Sequence, residues 1–295
     1  SIIFVDGTNG SDSNDGSSWQ NALATIQAGV TAASLGGTVY VMAKEMAAGA
    51  TDPESYAETV IIPATAAGLK LIGISKGRTQ MGLPQIKKGS GSTALLTIRA
   101  PGCLIANMGI NGIDSTGGGI LLDDDGSTKT ACGTTIMNCH FKNCVGSTAT
   151  NAATGGAIMW AATGGAWQVL IKGNRFYKNV GDIVLKGTTV SVPQDVVIED
   201  NVFSGPAASV DCNLYLTGGS GMNGVIIRNN DFPCFPAIGS GSNASPLVLT
   251  DCVGSLVGNT FGCTGKTFGA AANVLVPTTV LMSGNYQESG LIART

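Results

Sequence analysis

The sequence predicts an all-β protein, a parallel β-helix in which successive coils of the chain stack into a solenoid. Three observations predict this fold class. A short phrase recurs at spacings of 26 to 35 residues, short apolar runs lie between its copies, and no helical periodicity joins them. Repeat spacings in this range indicate units that stack on one another and share one continuous core.

The recurring phrase places an asparagine behind an aliphatic residue and two positions before an aromatic one. Its clearest copies read IKGNRFYKN, IEDNVFSG, IRNNDFPC and LVGNTFGC, and fainter copies extend the series in both directions. The equivalent polar positions are Asn107, Cys139, Asn174, Asn201, Asn230, Asn259 and Asn285. The equivalent aromatic positions are Phe141, Phe176, Phe203, Phe232 and Phe261.

This phrase predicts architecture and not catalysis. An asparagine tolerates the left-handed conformation of a tight bend, and its amide can bond to neighbouring backbone. Successive coils hydrogen-bond to one another about 4.8 Å apart, so equivalent residues lie above one another. We therefore expect the asparagines to form an amide ladder and the aromatic rings to fill the core.

Apolar runs of four or five residues supply the strands between these bends. They read GILL, GAIMW, DIVL, NLYL, PLVL and NVLV, and turn-forming residues bound each of them. Two or three such strands per repeat, with no helix between them, make one coil of a parallel β-helix.

The N-terminal residues predict a capping helix. Apolar residues recur at three- and four-residue steps between Ser18 and Ala33, and Ser18 is placed to cap the first turn. Such a helix covers the open end of the first coil, which otherwise exposes apolar interior and unpaired strand edges. The chain is therefore one structural domain, with an N-terminal loop and capping helix at residues 1–37 and the β-helix at 38–295.

The opening stretch FVDGTNGSDSNDGSSWQNALATIQAGVTAASLGGTVYV, residues 4–41, resembles the start of right-handed, pectin-lyase-like β-helix proteins of the kind found in phage virion components. In those proteins a loop rich in Gly, Asp and Ser precedes a short helix and the first strand. The resemblance extends along the whole chain and implies a right-handed parallel β-helix. The C-terminal end departs from it, because ten residues follow Asn285. We expect either this tail or another protein to cover the last coil.

Composition excludes several classes of partner. Charged residues make up 12% of the chain, the net charge is −3, and Lys87 and Lys88 form its one adjacent basic pair. Such scattered cations do not favour nucleic-acid binding. No apolar run approaches the ~20 residues of a transmembrane helix, so no membrane partner is expected. Ser1 could follow removal of an initiator methionine or of a signal peptide, and the sequence leaves both open.

Eight cysteines lie at positions 103, 132, 139, 144, 212, 234, 252 and 263. Several occupy apolar stretches at repeating positions, where a thiol behaves as a small hydrophobic side chain, so we expect reduced and mostly buried thiols. Cys144, Cys234 and Cys263 follow the motif aromatic by two or three residues and are expected to stack. No C-x-x-C pair occurs and His140 is the single histidine, so the sequence predicts neither a zinc site nor another cofactor.

Catalytic candidates are carboxylates, because polysaccharide-active proteins of the resembling fold use carboxylates along one face. The N-T-D, G-H-G and R-I-K motifs of the polygalacturonase-like enzymes are not intact here. The first fallback candidates are Asp123, Asp124 and Asp125, although three consecutive aspartates are more typical of a solvated loop. The others are Asp195 and Glu199, which flank one strand beside Asp200. Alternation along that strand predicts that Asp195 and Glu199 both point outward.

Two further sets of residues have weaker functional interpretations. Trp160 and Trp167 could stack on a sugar ring, or they could pack beneath a loop or at a subunit contact. Asp6, Asp12 and Asp15 lie in a loop that suggests calcium, but its spacing does not fit an EF-hand, so a turn explains it without a metal.

These observations favour a non-enzymatic structural protein of a phage virion. The resemblance implies a capsid decoration protein on the outer surface, expected to be a homo-oligomer (a trimer), made in the host cytoplasm and bound to other virion proteins such as the capsid shell. The alternatives are a β-helix that binds or degrades polysaccharide, such as a tailspike depolymerase, lyase or glycoside hydrolase, and a secreted or cell-surface adhesin. A groove lined by carboxylates from adjacent coils would favour the enzyme.

Overall fold

The structure, a computed structural model, describes residues 1–50, 52–75, 82–87, 91–113, 115–126, 130–145, 155–161, 167–189, 191–204, 212–233, 247–262, 276–287 and 290–291. Within these residues the chain forms one α-helix and two long sheets of 15 and 10 strands. Strand pairing in this part of the chain is parallel, except between the last two strands. These features confirm the predicted fold class, a parallel β-helix with one short helix. No helix among the described residues is long and apolar enough to cross a bilayer.

Each complete coil contributes a strand to three faces, which the chain visits in the order face 1, face 2 and face 3. Face 1 comprises β1 (Ile2–Val5), β2 (Thr38–Met42), β5 (Lys70–Ile74), β8 (Leu104–Ala106), β11 (Thr135–Met137), β14 (Leu170–Lys172), β17 (Val197–Glu199) and β23 (Val280–Ser283). Face 2 comprises β3 (Ser55–Tyr56), β6 (Gln85–Ile86), β9 (Gly109–Asn111), β12 (His140–Lys142), β15 (Arg175–Tyr177), β18 (Val202–Ser204), β20 (Asp231–Phe232), β22 (Thr260–Phe261), β24 (Tyr286–Gln287) and β25 (Gly290–Leu291).

Face 3 comprises β4 (Val60–Ile62), β7 (Leu96–Ile98), β10 (Ile120–Leu122), β13 (Ile158–Trp160) and β16 (Gly181–Lys186). Two longer strands, β19 (Cys212–Arg228) and β21 (Leu247–Val257), run from face 3 into face 1. Faces 1 and 3 are therefore one continuous sheet near the C-terminal end, whereas face 2 is a separate sheet.

The core is built from inward residues that lie in register on successive coils. On face 1, for example, Ile105, Ile136 and Ile171 are register partners, and all three are fully buried. Removal of such aliphatic side chains from water is the main source of stability, at roughly 1.5–3 kcal/mol for each side chain. The outward residues of the same strands are partly exposed, which is the alternation that a one-sided β-sheet requires.

The predicted capping helix forms, but it is shorter than Ser18–Ala33. Helix α1 spans Ile26–Ala32, and the Thr25 hydroxyl caps it by accepting a hydrogen bond from the Ala28 N–H. The preceding residues are not helical because Leu23 pairs with strand β1: its N–H donates to Phe4 O at 2.9 Å. Ile26 and Val30 still face the core, as the apolar spacing predicts.

Helix α1 closes the N-terminal end of the solenoid and supplies hydrogen-bond partners to the backbone of β4, the edge strand of face 3. The Gln27 amide oxygen accepts a hydrogen bond from the Ile61 N–H at 2.7 Å, and the same amide donates to Ile61 O at 3.3 Å. Glu58 in turn accepts from the N–H groups of Ile26 and Gln27 at 2.8 and 2.9 Å. The unpaired edge that strand β4 would otherwise expose is thus covered by a side chain of the cap.

The C-terminal tail covers the last strand of face 2. Strand β25 folds back antiparallel to β24, with Tyr286 opposite Leu291 and Gln287 opposite Gly290. Of the two predicted arrangements, the tail itself provides the cover at this edge.

The amide ladder forms along the inner side of the bend between faces 1 and 2. From Asn201 onward, the side-chain oxygen of each asparagine accepts hydrogen bonds from the backbone and side-chain N–H groups of the preceding ladder residue, at 2.9 to 3.1 Å. The connected residues are Asn174, Asn201, Asn230, Asn259 and Asn285. Cys139 starts the ladder, because its N–H donates to the Asn174 oxygen at 2.9 Å.

The structure corrects two details of the predicted ladder. The left-handed residue of each bend is the one before the ladder position, as at Asp200 (φ 58°) and Asn229 (φ 55°), so the ladder asparagines serve as buried hydrogen-bond partners. Asn107 also has a left-handed φ of 57°, and strand register places Met108 level with Cys139. Asn107 therefore lies one residue away from the ladder. An asparagine suits both positions, but Ile110, two positions after Met108, is the register partner of Phe141.

The five aromatic rings stack continuously beside the amide ladder. Ring centroids lie 4.7 to 5.0 Å apart and neighbouring planes differ by 8 to 12°. The rings are those of Phe141, Phe176, Phe203, Phe232 and Phe261, and all are buried. The spacing matches the distance between coils, so the stack follows directly from parallel pairing in register.

The cysteines within the described part of the chain are free thiols. Cys103, Cys139, Cys144, Cys212 and Cys252 are buried, and Cys132 is half-buried. Burial raises the pKa of the Cys139 and Cys144 thiols to about 12. Cys234 and Cys263 lie outside the described residues.

Candidate functional site

A groove on face 3 is the candidate functional site. It encloses about 440 Å³ and crosses strands β4, β7, β10 and β13. Its floor consists of four outward residues that are register partners on successive coils: Ile61, Thr97, Leu121 and Met159. The strands are only three residues long, so each contributes one outward side chain to this floor.

An ion pair lies at one side of the groove, where two neighbouring strands end. Arg99 follows β7 and Asp123 follows β10, and the Arg99 Nε donates to Asp123 Oδ2 at 3.0 Å. The side chains are 40% and 20% exposed, so both remain accessible from the groove. In the part of the chain that the structure describes, Asp123 Oδ1 and the two Arg99 Nη atoms have no protein partner.

Hydroxyl groups and a glycine-rich turn form the opposite wall. Thr93 and Thr116 line the groove, and the Thr116 N–H donates to Gly91 O at 2.8 Å. The turn passes so close to the preceding coil that a Cβ on Gly117 would lie 1.9 Å from Thr93 O. Glycine at this position therefore allows the wall to form, because any side chain would push the two coils apart.

A second cavity adjoins the groove on the far side of this turn. It encloses about 490 Å³, and its lining includes Ile113, Asn143 and Lys178. Thr116 lines both cavities, so they adjoin at this turn.

The three consecutive aspartates separate in the structure. Asp123 faces the groove, whereas Asp124 is buried and accepts a hydrogen bond from the Gly126 N–H at 2.7 Å. Asp125 is exposed on the turn. Alternation at the strand end points the first two in opposite directions, so they do not form a paired carboxylate site.

Glu199 is held by cations on face 1. Its carboxylate accepts from Lys172 Nζ at 2.8 Å and from Arg228 Nε at 2.7 Å. These hydrogen bonds, from Lys172 first and then Arg228, hold the pKa of Glu199 below its usual value. A carboxylate in this setting stays ionised and does not act as a general acid.

The other acidic candidates do not join Glu199 in a groove. Asp195 is exposed at a bend before strand β17, with φ 52°, so it is not on the strand that was predicted to align it with Glu199. A further carboxylate, Asp182 on strand β16, is buried and accepts hydrogen bonds from the side-chain amides of Asn179 at 2.8 Å and Asn213 at 2.7 Å. Neither carboxylate forms a groove with Glu199.

The two tryptophans have different environments. Trp160 is the register partner of Leu122 and Leu185, and it is buried with them in the core. It therefore cannot stack on a sugar, because its ring belongs to the inward side of strand β13. Trp167 is 47% exposed at the bend before β14 and does not line the face 3 groove.

The aspartates of the N-terminal loop accept hydrogen bonds from the loop itself. Asp12 accepts from the N–H groups of Ala24 and Thr25 at 2.8 and 2.9 Å, which ties the loop to the start of helix α1. Asp6 accepts from the Thr8 N–H at 2.9 Å.

Asp15 accepts from the N–H and hydroxyl of Ser17 at 2.9 and 2.7 Å. These bonds hold the pKa of Asp15 below its usual value, with the Ser17 N–H contributing most. No cluster of three or more His, Cys, Asp or Glu side chains suited to a metal ion occurs among residues that the structure describes.

Sequence reasoning missed Arg99 and a buried charged group on face 2. Arg99 could have been found by alignment of strands β7 and β10, since LTIR and ILLD align Arg99 with Asp123, each one residue beyond the end of its strand. The face 2 group pairs Lys142 Nζ with Asp52 Oδ2, from a loop 90 residues earlier in the chain. No local pattern indicates that contact.

His140 lies beside this ion pair on strand β12 and is buried. Burial, followed by the nearby charge of Lys142, lowers the pKa of His140 to about 4. The imidazole is therefore neutral at pH 7.

Comparison with known proteins supports the fold. No family model and no curated protein matches the sequence. The structure is similar to that of the native GH136 lacto-N-biosidase from Eubacterium ramulus, with a TM-score of 0.63 and 12% sequence identity. The selenomethionine derivative of that enzyme gives a TM-score of 0.53 and 10% identity. Both matches cover 97% of this chain and 56% of the other chain, so this chain spans just over half the length of that protein.

This likeness defines the class of fold, a parallel β-solenoid that also occurs in a carbohydrate-active enzyme. At 12% identity it shows the fold alone. These two matches show no link to phage proteins. The predicted virion role, trimeric state and surface location stay predictions.

Proposed function

We propose that this protein is a carbohydrate-binding β-helix whose saccharide lies in the face 3 groove. The observation that carries the proposal is the Arg99–Asp123 pair, in which Asp123 Oδ1 and the Arg99 Nη atoms have no partner among the described residues and face a groove walled by hydroxyls. Sugar hydroxyls both donate and accept hydrogen bonds, so this set of groups is suited to them. The similarity to a GH136 enzyme also supports carbohydrate binding, because a protein of similar fold acts on a carbohydrate.

The shape of the groove is consistent with an extended ligand. Its floor crosses four coils, which spans about 14 Å at the usual strand separation, and Leu121 and Met159 are half-buried apolar residues on that floor. The apolar C–H faces of pyranose rings can pack on such side chains. Most small-molecule sites combine an apolar floor with a few fixed polar groups in this way.

The groove favours binding over cleavage. A glycosidase of the usual kind places two carboxyl groups roughly 5 to 9.5 Å apart across the scissile bond. Asp123 is the one carboxylate among the described residues that line this groove, and it is already paired with Arg99. Hydrolysis is therefore the alternative, and the experiment described next also tests for it.

The test is electrophoresis of the purified protein through gels that contain neutral or acidic soluble polysaccharides, followed by calorimetric titration with oligosaccharides of each polymer that slows it. We expect slower migration in at least one gel. The variant Leu121→Arg, which fills the groove, should abolish the effect. The matched control Thr135→Arg, on the outward side of face 1, should leave it unchanged.

Two results would contradict the proposal: unchanged migration in every gel, or binding by Leu121→Arg equal to that of the parent protein. Release of new reducing ends from a polymer that binds would establish cleavage instead. Asp123→Asn would then show whether the groove carries that activity.

The virion-decoration hypothesis remains a separate proposal, and neither the fold nor the groove distinguishes a virion protein from a secreted or cell-surface one. Copurification with intact virions, together with the mass of the assembly in solution, tests that proposal and the predicted trimer. A carbohydrate-binding groove is compatible with any of these locations.

A further inference from the structure

We infer that the groove selects a neutral saccharide and discriminates against its uronic-acid counterpart. This inference rests on the proposed function and assigns a ligand class to the same site. It is drawn from the balance of charge around the groove and from the atoms that the Arg99–Asp123 pair leaves available.

The formal charges of the described residues that line the groove cancel. Among the described residues that line it, Arg99 is the one cation and Asp123 the one anion, and they are joined at 3.0 Å. On the next two coils, the position equivalent to Arg99 and Asp123 is occupied by Ala161 and then by Lys186, as the strand register shows. Lys186 is thus two coils from Asp123, or about 10 Å at the usual strand separation, and is exposed. Salt screens a charge at that distance.

A neutral ion pair gives little net attraction to a carboxylate. A uronate bound to the Arg99 Nη atoms would also lie close to the Asp123 carboxylate, since the two residues are already in contact. Repulsion by Asp123 offsets much of the attraction by Arg99, while the uronate still loses its hydration. The net charge of −3 on the whole chain adds no compensating long-range attraction.

The same pair is well suited to neighbouring hydroxyl groups on one sugar. Asp123 Oδ1 can accept from one hydroxyl, and an Arg99 Nη can donate to the oxygen of the next. Both bonds involve a charged group, so they are stronger than bonds between neutral groups. Hydroxyls of Thr93 and Thr116 on the opposite wall offer further neutral partners.

The experiment measures affinity for matched pairs of hexasaccharides that differ in oxidation at C6: mannan with mannuronan, galactan with galacturonan, and glucan with glucuronan oligomers. Calorimetry at about 0.15 M salt keeps long-range charge effects small. We expect the neutral member of the pair that binds to be about tenfold or more tighter than its uronate. Asp123→Asn, which leaves Arg99 unopposed, should weaken the neutral ligand by about 10- to 100-fold and reduce or reverse the preference.

Arg99→Gln supplies the opposite change of charge and should weaken both ligands, with the uronate affected more. Tighter binding of the uronate by the parent protein would overturn the inference while leaving carbohydrate binding intact. Equal binding of both members, or an unchanged preference in Asp123→Asn, would also overturn it. Absence of binding by all six oligosaccharides, together with unchanged migration in every polysaccharide gel, would refute the proposed function itself, and with it this inference.

Discussion

Replacement of Asn201 by alanine tests whether the amide ladder is a main source of stability. Asn201 lies in the middle of the ladder and is buried. Its side-chain oxygen accepts from the N–H of Asn174 at 2.9 Å and from the side-chain amide of Asn174 at 3.1 Å. Its own amide donates to Ile171 O and to the Asn230 oxygen, both at 3.0 Å.

The expected loss follows from these four hydrogen bonds. Asn201→Ala leaves the backbone N–H of Asn174 buried without the acceptor seen here, which costs about 1–3 kcal/mol. Each of the other three bonds contributes about 0.5–1.5 kcal/mol. We therefore expect the free energy of unfolding to fall by about 2.5–7.5 kcal/mol, a large fraction of the ~5–15 kcal/mol that stabilises a typical domain.

The assay is equilibrium unfolding in guanidinium chloride at pH 7, followed by far-ultraviolet circular dichroism and checked for reversibility. The matched control is Asp200→Asn at the preceding residue, which is exposed and left-handed. Asparagine also tolerates that conformation, and only an exposed ion pair with Lys172 is lost, so the control should change stability by less than about 1 kcal/mol. A loss in Asn201→Ala no larger than that of the control would refute the reasoning. A changed denaturant slope would instead show that the solenoid unfolds in parts.

Two further predictions concern buried titratable groups. The pKa of His140 is lowered to about 4 in the folded state, whereas an unfolded imidazole titrates near 6.5, so the unfolded chain binds more protons between these values. The free energy of unfolding should therefore fall by up to about 3 kcal/mol as pH drops from 6.5 to 4. Denaturant titrations at several pH values should show a weaker pH dependence for His140→Gln. The same pH dependence in both proteins would contradict the prediction. Burial raises the pKa of Cys139 and Cys144 to about 12, so a brief iodoacetamide pulse at pH 8 should label Cys132 and spare these two until denaturant is added. Peptide mapping checks this, and equal labelling of all three in the native protein would show that the coils open readily.

The solenoid was predictable because its repeats are local and numerous. Parallel coils in register place equivalent residues above one another, so one alignment of Asn174, Asn201, Asn230 and Asn259 predicts a whole ladder. The same alignment failed at Asn107, where an asparagine occupies the bend and Met108 the ladder position. An asparagine suits both positions, but the residue two positions later separates them: Gly109 follows Asn107 at that spacing, whereas Ile110 follows Met108 and lies level with Phe141.

The candidate site was predictable only in part. Asp123 follows an apolar run and could be nominated from the sequence, but its partner Arg99 was missed. Among the other candidates, Trp160 faces the core and Glu199 is neutralised by Lys172 and Arg228. A short strand has no pattern long enough to establish which of its residues points outward, and that direction decides whether a side chain is available to a ligand.

The sequence by itself determined the repeat, the parallel β-helix, the aromatic stack and the presence of an N-terminal cap, since each depends on residues that recur or lie close together in the chain. Only the tertiary structure decided which charges meet. Arg99 contacts Asp123 across 24 residues, and Lys142 contacts Asp52 across 90. Stacking of coils sets these contacts, because the loops between strands vary in length and the register of the coils, not the distance along the chain, determines which side chains become neighbours.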